Sequence, residues 1–146
     1  MHRRHGIWIS IALVALVIAS GTCYYRFVIW PRENFRKVCE NPKATKEDFR
    51  EAIHQLIAWN ESHDGFIMLK TVGDESSIPL LIRSLRRIPV DQRRSGSIEC
   101  TWGHCHDALV AITGEDFGYD AEKWRVWHEN RLTRLPLLDG FLGPDR

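Results

Sequence analysis

The chain has 146 residues, the length of one domain, and its four cysteines are too few and too unevenly placed for a disulfide framework. Its net charge is +1, and from Arg32 onward 17 Lys and Arg stand against 19 Asp and Glu, so bulk charge argues against nucleic acid as a partner. Without the apolar N-terminus about 115 residues remain, enough for one modest core.

The first predicted element is a membrane anchor over residues 1–30. No Asp, Glu, Lys or Arg occurs from Gly6 to Tyr25, and a helix of this length spans roughly 30 Å, the thickness of the hydrocarbon core. Aromatic rings prefer the lipid–water interface, and they lie near both ends of this stretch: Trp8 at one, Tyr24, Tyr25 and Trp30 at the other. The pattern predicts one transmembrane helix.

A cleavable signal peptide is the competing interpretation of the same residues. Arg3 and Arg4 form a basic leader, an apolar segment follows, and Ala19-Ser20-Gly21 is a small-residue exit. Basic residues on the two flanks compete, and charge counting alone would put the soluble part on the cytoplasmic side, whereas the very short basic leader resembles a signal anchor. We expect the soluble part on the extracytoplasmic side of the membrane.

Two helices are predicted after the anchor. Residues 31–44 read as a lead-in helix and linker, because Pro31 suits a first helical turn. Thr45 and Asp48 then have the spacing of an N-terminal capping box. The helix behind them should end near Asn60, since apolar residues recur there at i, i+3, i+4, i+7 and i+8.

Gly73 and Asp74 mark a corner between the next two helices. We expect Gly73 in the left-handed conformation that ends a helix, and Asp74 as the acceptor for the free amides of the following one. The apolar residues of that following helix again recur at helical spacing: Ile78, Leu81, Ile82 and Leu85.

The remaining chain predicts two further helices and an irregular end. Residues 89–97 are loop-like by composition, and the next helix should run from about Ile98 to Gly114. Asp120 is placed to cap the last helix, in which Trp124 and Trp127 are expected to be buried. The apolar tail, residues 132–146, is interrupted by Pro and Gly and should not form a long regular helix; it either folds back or docks on a partner.

Two segments resemble the HEAT-like helical repeats of short bacterial arrays. Leu69 to Leu85, Leu-Lys-Thr-Val-Gly-Asp-Glu-Ser-Ser-Ile-Pro-Leu-Leu-Ile-Arg-Ser-Leu, looks like the boundary where one helix closes on Gly-Asp and the next opens with Ile-Pro. The segment from Ala108 to Gly114 looks like the second helix of a unit, and residues 116–127 are similar to the closing segment of such arrays. The resemblance implies an all-α fold: a short α-solenoid of antiparallel helix pairs over residues 45–131, preceded by one transmembrane helix.

One dense cluster supplies two thiols and two imidazoles: Cys100, His104, Cys105 and His106. Cys100 and His104 are one helical turn apart and could be half of a zinc site, whose other ligands, such as His63 and Asp64, cannot be placed from sequence. The order Cys-x4-Cys-His also resembles an expanded haem-attachment motif. The competing interpretation places Cys105 in the core and exposes the histidines. Under this interpretation the chain binds no metal or cofactor.

Five arginines form a candidate binding surface: Arg83, Arg86, Arg87, Arg93 and Arg94. A solvated helix face is the default explanation for such a run, because Asp91 interrupts it and no aromatic residues interleave with it. Contact with a protein or with lipid is the functional hypothesis for this surface.

The functional hypothesis is a non-catalytic, membrane-anchored scaffold that binds another protein. The sequence has no Gly-rich phosphate loop, no Gly-x-Ser-x-Gly elbow and no His-Glu-x-x-His pair. The alternative is a small metal- or haem-binding protein that uses the cysteine–histidine cluster. A third possibility, the regulatory subunit of an enzyme, rests on fold analogy alone.

Overall fold

The computed structural model describes residues 2–59, 62–96 and 98–139. All regular structure in these ranges is helical, as the sequence predicts, and the N-terminal helix is long and apolar. The chain divides into two compact units, Met1–Asn60 and Glu61–Arg146. The helix after Thr45 therefore belongs with the N-terminal residues, whereas the sequence groups it with the repeat-like segment.

The first unit contains one long helical segment and a second helix that follows it. The segment consists of α1 (His2–Tyr24), a π-helical turn (Tyr25–Ile29) and α2 (Trp30–Glu40); the second helix is α3 (Lys46–Trp59). Pro31 lies in the first turn of α2, as predicted. The predicted division between residues 30 and 31 thus falls within continuous helix.

Helices α2 and α3 pack as an antiparallel pair. The amide of Asn34 donates to the side-chain oxygen of Gln55 at 3.0 Å, and one end of the pair is closed by Phe27 and Trp59, whose ring centroids are 4.6 Å apart. The capping box at Thr45 is confirmed: its amide donates to the Asp48 carboxylate at 2.7 Å, and its hydroxyl accepts from the Asp48 amide at 3.2 Å.

The second unit is organised around a central helix. Its helices are α4 (His63–Val72), α5 (Ile78–Leu85), α6 (Val90–Ser95), α7 (Cys100–Thr113) and α8 (Ala121–Asp139). Helix α7 packs against both α4 and α5, and α8 packs against α5. Large side chains from four helices are excluded from water around α7: Phe66, Leu69, Ile78, Leu81, Leu85, Trp102, Leu109 and Trp124. This burial supplies the hydrophobic stabilisation of the unit.

The corner between α4 and α5 differs from the prediction in one respect. Asp74 accepts from the Ser76 amide at 2.9 Å and so caps the 3₁₀ turn Glu75–Ser77 that leads into α5, whereas Gly73 has φ −68° and ψ 155°, which is extended rather than left-handed. A Cβ atom at Gly73 would overlap the Leu69 carbonyl oxygen and lie 2.7 Å from Cδ1 of Ile112. Glycine is needed here because α7 packs closely against the corner.

Two other expectations are wrong. The predicted loop 89–97 contains the short helix α6, which ends at Gly96 with φ 72°. The predicted irregular tail continues α8 to Asp139 although it includes Pro136. A proline inside a helix removes one hydrogen bond and crowds the carbonyl four residues earlier, which usually kinks or ends the helix, and nothing in the local sequence explains this continuation. Residues 140–146, the rest of that tail, lie outside the described residues.

Local signals at the other two helix ends are confirmed. Gly114 has φ 75° and its amide donates to the Val110 carbonyl at 2.9 Å, so it ends α7 in the left-handed conformation. The Asp120 carboxylate accepts from the amides of Glu122 and Lys123, each at 3.1 Å, and so caps α8.

Candidate functional site

Helices α5 and α8 enclose a concavity of about 240 Å³ that includes two of the predicted arginines. Arg83 and Arg86 are three residues apart and therefore lie on one face of α5. Helix α8 contributes a third arginine, Arg125, together with His128 and Glu129. Pro79 and Ile82 add apolar surface to the concavity. We call this site the basic concavity.

Ion pairs hold the α8 side of the basic concavity. The guanidinium of Arg125 contacts the Glu122 carboxylate at 3.0 Å and the Glu129 carboxylate at 2.5 Å. Hydrogen bonds from Arg125 hold the pKa of Glu122 below its usual range, and the charge of Arg86, 3.7 Å away, adds to this effect. Three arginines thus face two glutamates, which leaves the surface with an excess of positive charge.

The other three predicted arginines lie elsewhere. Arg87 follows α5, is half-buried, and acts electrostatically on Cys105. Arg94 is exposed on α6, and the side chain of Arg93 lies outside the described residues. The predicted set of five is therefore divided, whereas Arg125 and His128 join Arg83 and Arg86 from about 40 residues further along the chain.

An apolar groove of about 430 Å³ lies on the same stretch of α8 as the basic concavity. Phe117, Val126 and Trp127 provide its apolar surface, with Glu122, Lys123 and Asn130 at its edges. Trp127 is half-buried, so the prediction that both tryptophans are buried holds only for Trp124. The indole of Trp124 donates to the Gly118 carbonyl at 2.8 Å and packs edge-on against Phe117, with centroids 5.0 Å apart, which fixes the groove wall.

The cysteine–histidine cluster is split between opposite environments by the helical turn of α7. Cys100 is exposed, whereas Cys105 is fully buried and its thiol donates to the Leu81 carbonyl at 3.5 Å. Burial raises the pKa of the Cys105 thiol far above its usual range. The two cysteines therefore do not present a paired site for a cofactor.

The two histidines of the cluster also point to different partners. The ring of His104 packs edge-on against His63, with centroids 4.6 Å apart, and its Nδ1 atom is buried without a hydrogen-bond partner. Nε2 of His106 lies 2.9 Å from the Asp116 carboxylate, and this hydrogen bond lowers the pKa of Asp116. In the part of the chain that the structure describes, no three His, Cys, Asp or Glu side chains converge as metal ligands.

A charged pair next to this cluster joins α4 to α7. The ammonium of Lys70 donates to the Asp107 carboxylate at 3.0 Å, which is the largest cause of the lowered pKa of Asp107. The pair is about half exposed, so its contribution to stability is at most about 1 kcal/mol. The main effect of this ion pair is to fix the register of α4 against α7.

We expect Cys105 to resist alkylation in the folded protein, while Cys100 reacts. The thiolate is the nucleophile in this reaction. The raised pKa of Cys105 keeps its thiol protonated, and burial keeps the reagent away from the sulfur. Treatment with N-ethylmaleimide, followed by mass spectrometry of the peptides, measures both sites in one sample. The denatured protein is the control, because there both cysteines should react equally. Equal labelling of the native protein would contradict the core position of Cys105.

The chain has no match among protein-family models, curated proteins or solved structures. The features that point to a function are the exposed apolar helix α1 and two surfaces on one stretch of α8, the basic concavity and the apolar groove.

Proposed function

We propose that the protein is a single-pass membrane protein whose helical body binds another protein through α5 and α8, without catalysis. The observation that carries the proposal is that the basic concavity and the apolar groove lie on one stretch of α8. Trp and Arg are the residue types most enriched at interface hot spots, and the guanidinium of Arg131 lies 5.5 Å from the centre of the Trp127 ring in that groove. The complementary partner offers an acidic group beside an apolar side chain.

The anchor rests on the properties of α1. Its described side chains from Trp8 onward, and that of Tyr25 behind it, are exposed and uncharged. The hydroxyl of Thr22 donates to the Ile18 carbonyl at 2.9 Å, so this polar group is satisfied within the helix and needs no water. The small residues at the possible cleavage site lie inside the helix, which continues to Glu40. On the signal-anchor pattern we place the helical body on the extracytoplasmic side.

We also propose a HEAT-like arrangement for the repeat-like segment. Successive second helices of such arrays pack side by side, and α4 and α7 would hold these positions. Contacts between them advance together along both helices: Lys70 meets Asp107, and Gly73 meets Ile112. These contacts favour a parallel arrangement of α4 and α7, with α5 as the first helix of the later unit.

No specific observation favours the metal or haem alternative. Cys105 is in the core, and His106 is hydrogen-bonded to Asp116. Cys105 and His106 therefore have structural explanations in their contacts with α5 and with the turn that follows α7.

The test of partner binding is a charge reversal in the basic concavity. Replacing Arg83→Glu and Arg86→Glu together should abolish cross-linking of the full-length protein to its partner in native membranes. Loss of one hot-spot contact costs about 2 kcal/mol, roughly a 30-fold weaker complex. The measurement is the yield of the cross-linked species, identified by mass spectrometry and compared at equal expression.

The matched control is Lys43→Glu with Lys46→Glu. These two lysines are also exposed and three residues apart, so the variant changes the net charge equally at another place. It should retain the cross-linked species. Recovery of the unmodified protein only as a monomer, or equal losses in both variants, would contradict the proposal.

A further inference from the structure

The antiparallel packing of α2 and α3 returns the end of α3 to the level at which the anchor ends. Going down α2 from Asn34 to Phe27, the contacts on α3 advance from Gln55 to Trp59. Trp59 is the last residue of α3 and contacts Phe27 in the π-helical turn. Trp59 therefore lies next to the π-helical turn that follows α1.

The position of Phe27 along the helix sets the depth of this contact. The uncharged stretch ends at Tyr25, so Phe27 is two residues, or about 3 Å, beyond it. The polar headgroup layer on each side of the hydrocarbon core is roughly 5–7 Å thick. Phe27, and with it Trp59, falls inside that layer.

Exposure and side-chain chemistry fit the same layer. Trp59 is 63% exposed, and so are large parts of Tyr24, Tyr25 and Phe27. Together these rings form an aromatic collar at one end of the anchor, and the guanidinium of Arg26 lies 4.4 Å from the centre of the Trp30 ring. Amphipathic aromatic rings with a nearby cation are the usual composition of a protein surface in contact with lipid headgroups.

We propose that Trp59 inserts into the lipid headgroup layer and gives the protein a second contact with the bilayer besides α1. The inference rests on the proposed membrane crossing of α1. Two contacts, one from each helix of the pair, restrict the tilt of the α2–α3 pair relative to the membrane, which a single helix does not do. The occupant of this aromatic surface is the bilayer itself.

Fluorescence quenching by labelled lipids tests the contact. The full-length protein is reconstituted in phosphatidylcholine vesicles that carry bromine either near the headgroup end or near the methyl end of the acyl chains. We expect the Trp59→Phe variant to lose a component of the tryptophan emission that the shallow bromines quench more strongly than the deep ones. Phenylalanine keeps the ring contact with Phe27, so the fold of the pair should be retained.

The control variant is Trp8→Phe, because Trp8 reports insertion of α1 independently of α3. If Trp8→Phe removes a quenchable component and Trp59→Phe does not, the anchor is in lipid and Trp59 is in water, which overturns the inference alone. If neither variant changes the quenching, α1 itself is outside the bilayer, and both the inference and the proposed anchor fail.

Discussion

Replacing Gly73→Ala should lower the free energy of unfolding by about 2–3 kcal/mol, the effect of overpacking a site that cannot expand. The added Cβ would overlap the Leu69 carbonyl oxygen and come within 2.7 Å of Cδ1 of Ile112. The same carbonyl accepts the Gly73 amide at 2.9 Å, so relieving the overlap also disturbs the hydrogen bond that closes α4. Unfolding in guanidinium, followed by tryptophan fluorescence in detergent, measures the change.

The matched control is Gly103→Ala, in the middle of α7. The nearest atom to its Cβ is the Tyr119 hydroxyl at 3.9 Å, an ordinary contact, and the backbone is helical. Alanine is a better helix former than glycine, so this variant should be more stable by about 0.5–1 kcal/mol. The two substitutions are chemically identical, yet they should change the free energy of unfolding in opposite directions.

A second variant separates the two overlaps at Gly73. Ile112→Val removes the Cδ1 atom that the new Cβ would meet. Combined with Gly73→Ala it should restore part of the lost stability, because the overlap with Leu69 remains. An unfolding midpoint of Gly73→Ala equal to that of the unmodified protein would mean that the corner between α4 and α5 does not pack on α7 as described.

The contrast between Gly73 and Gly114 shows what sequence can and cannot predict in this protein. Gly114 acts locally: it follows an apolar periodic segment, and its left-handed conformation can be inferred from that position alone. Gly73 has the same local signature, yet its backbone is extended, and one of the two groups that exclude a Cβ there is a side chain 39 residues later. The sequence identified the corner but not the packing that requires glycine there.

Capping signals were reliable for the same reason. Thr45 with Asp48, Asp74 and Asp120 each bond to backbone amides within three residues, so the information needed for each is contained in a few neighbouring letters. Helix α6 and the extension of α8 past Pro136 lack such a signal. Composition predicts an irregular chain in both places, whereas the structure is helical there.

Only the α5 side of the basic concavity could be predicted from the sequence. Arg83 and Arg86 stand one turn apart in the sequence, and their shared face follows from helical geometry. Arg125 and His128 join them because α8 packs on α5, and nothing in the local sequence of α8 indicates that neighbour. The HEAT-like solenoid itself stays a prediction, supported by the packing of α7 on α4 and α5.

Replacing Leu16→Arg should reduce membrane integration of the protein roughly 100-fold, because an arginine at the centre of a transmembrane helix in place of leucine costs about 3 kcal/mol. Leu16 lies midway between Gly6 and Tyr25 and is 63% exposed, so no protein group shields the new charge. Extraction of membranes at alkaline pH, followed by immunoblotting of tagged protein, measures the integrated fraction.

Position along α1 supplies the control. Cys23→Arg adds the same charge near the end of the apolar stretch, where a long side chain reaches the headgroups, and should leave integration almost unchanged. A helix exposed to water would tolerate arginine equally at both positions. Equal behaviour of the two variants would therefore contradict the anchor, whatever the absolute level of extraction.

The same preparations distinguish the anchor from a signal peptide and report the side of the membrane. An uncleaved anchor keeps the full-length size of 17.0 kDa, whereas removal at Ala19-Ser20-Gly21 would shorten the chain by about 2 kDa. Protease added outside intact cells should digest the helical body if it is extracytoplasmic, as the signal-anchor pattern suggests. Trp59 would then meet the outer surface of that membrane, since it contacts Phe27, which follows α1 directly in the chain.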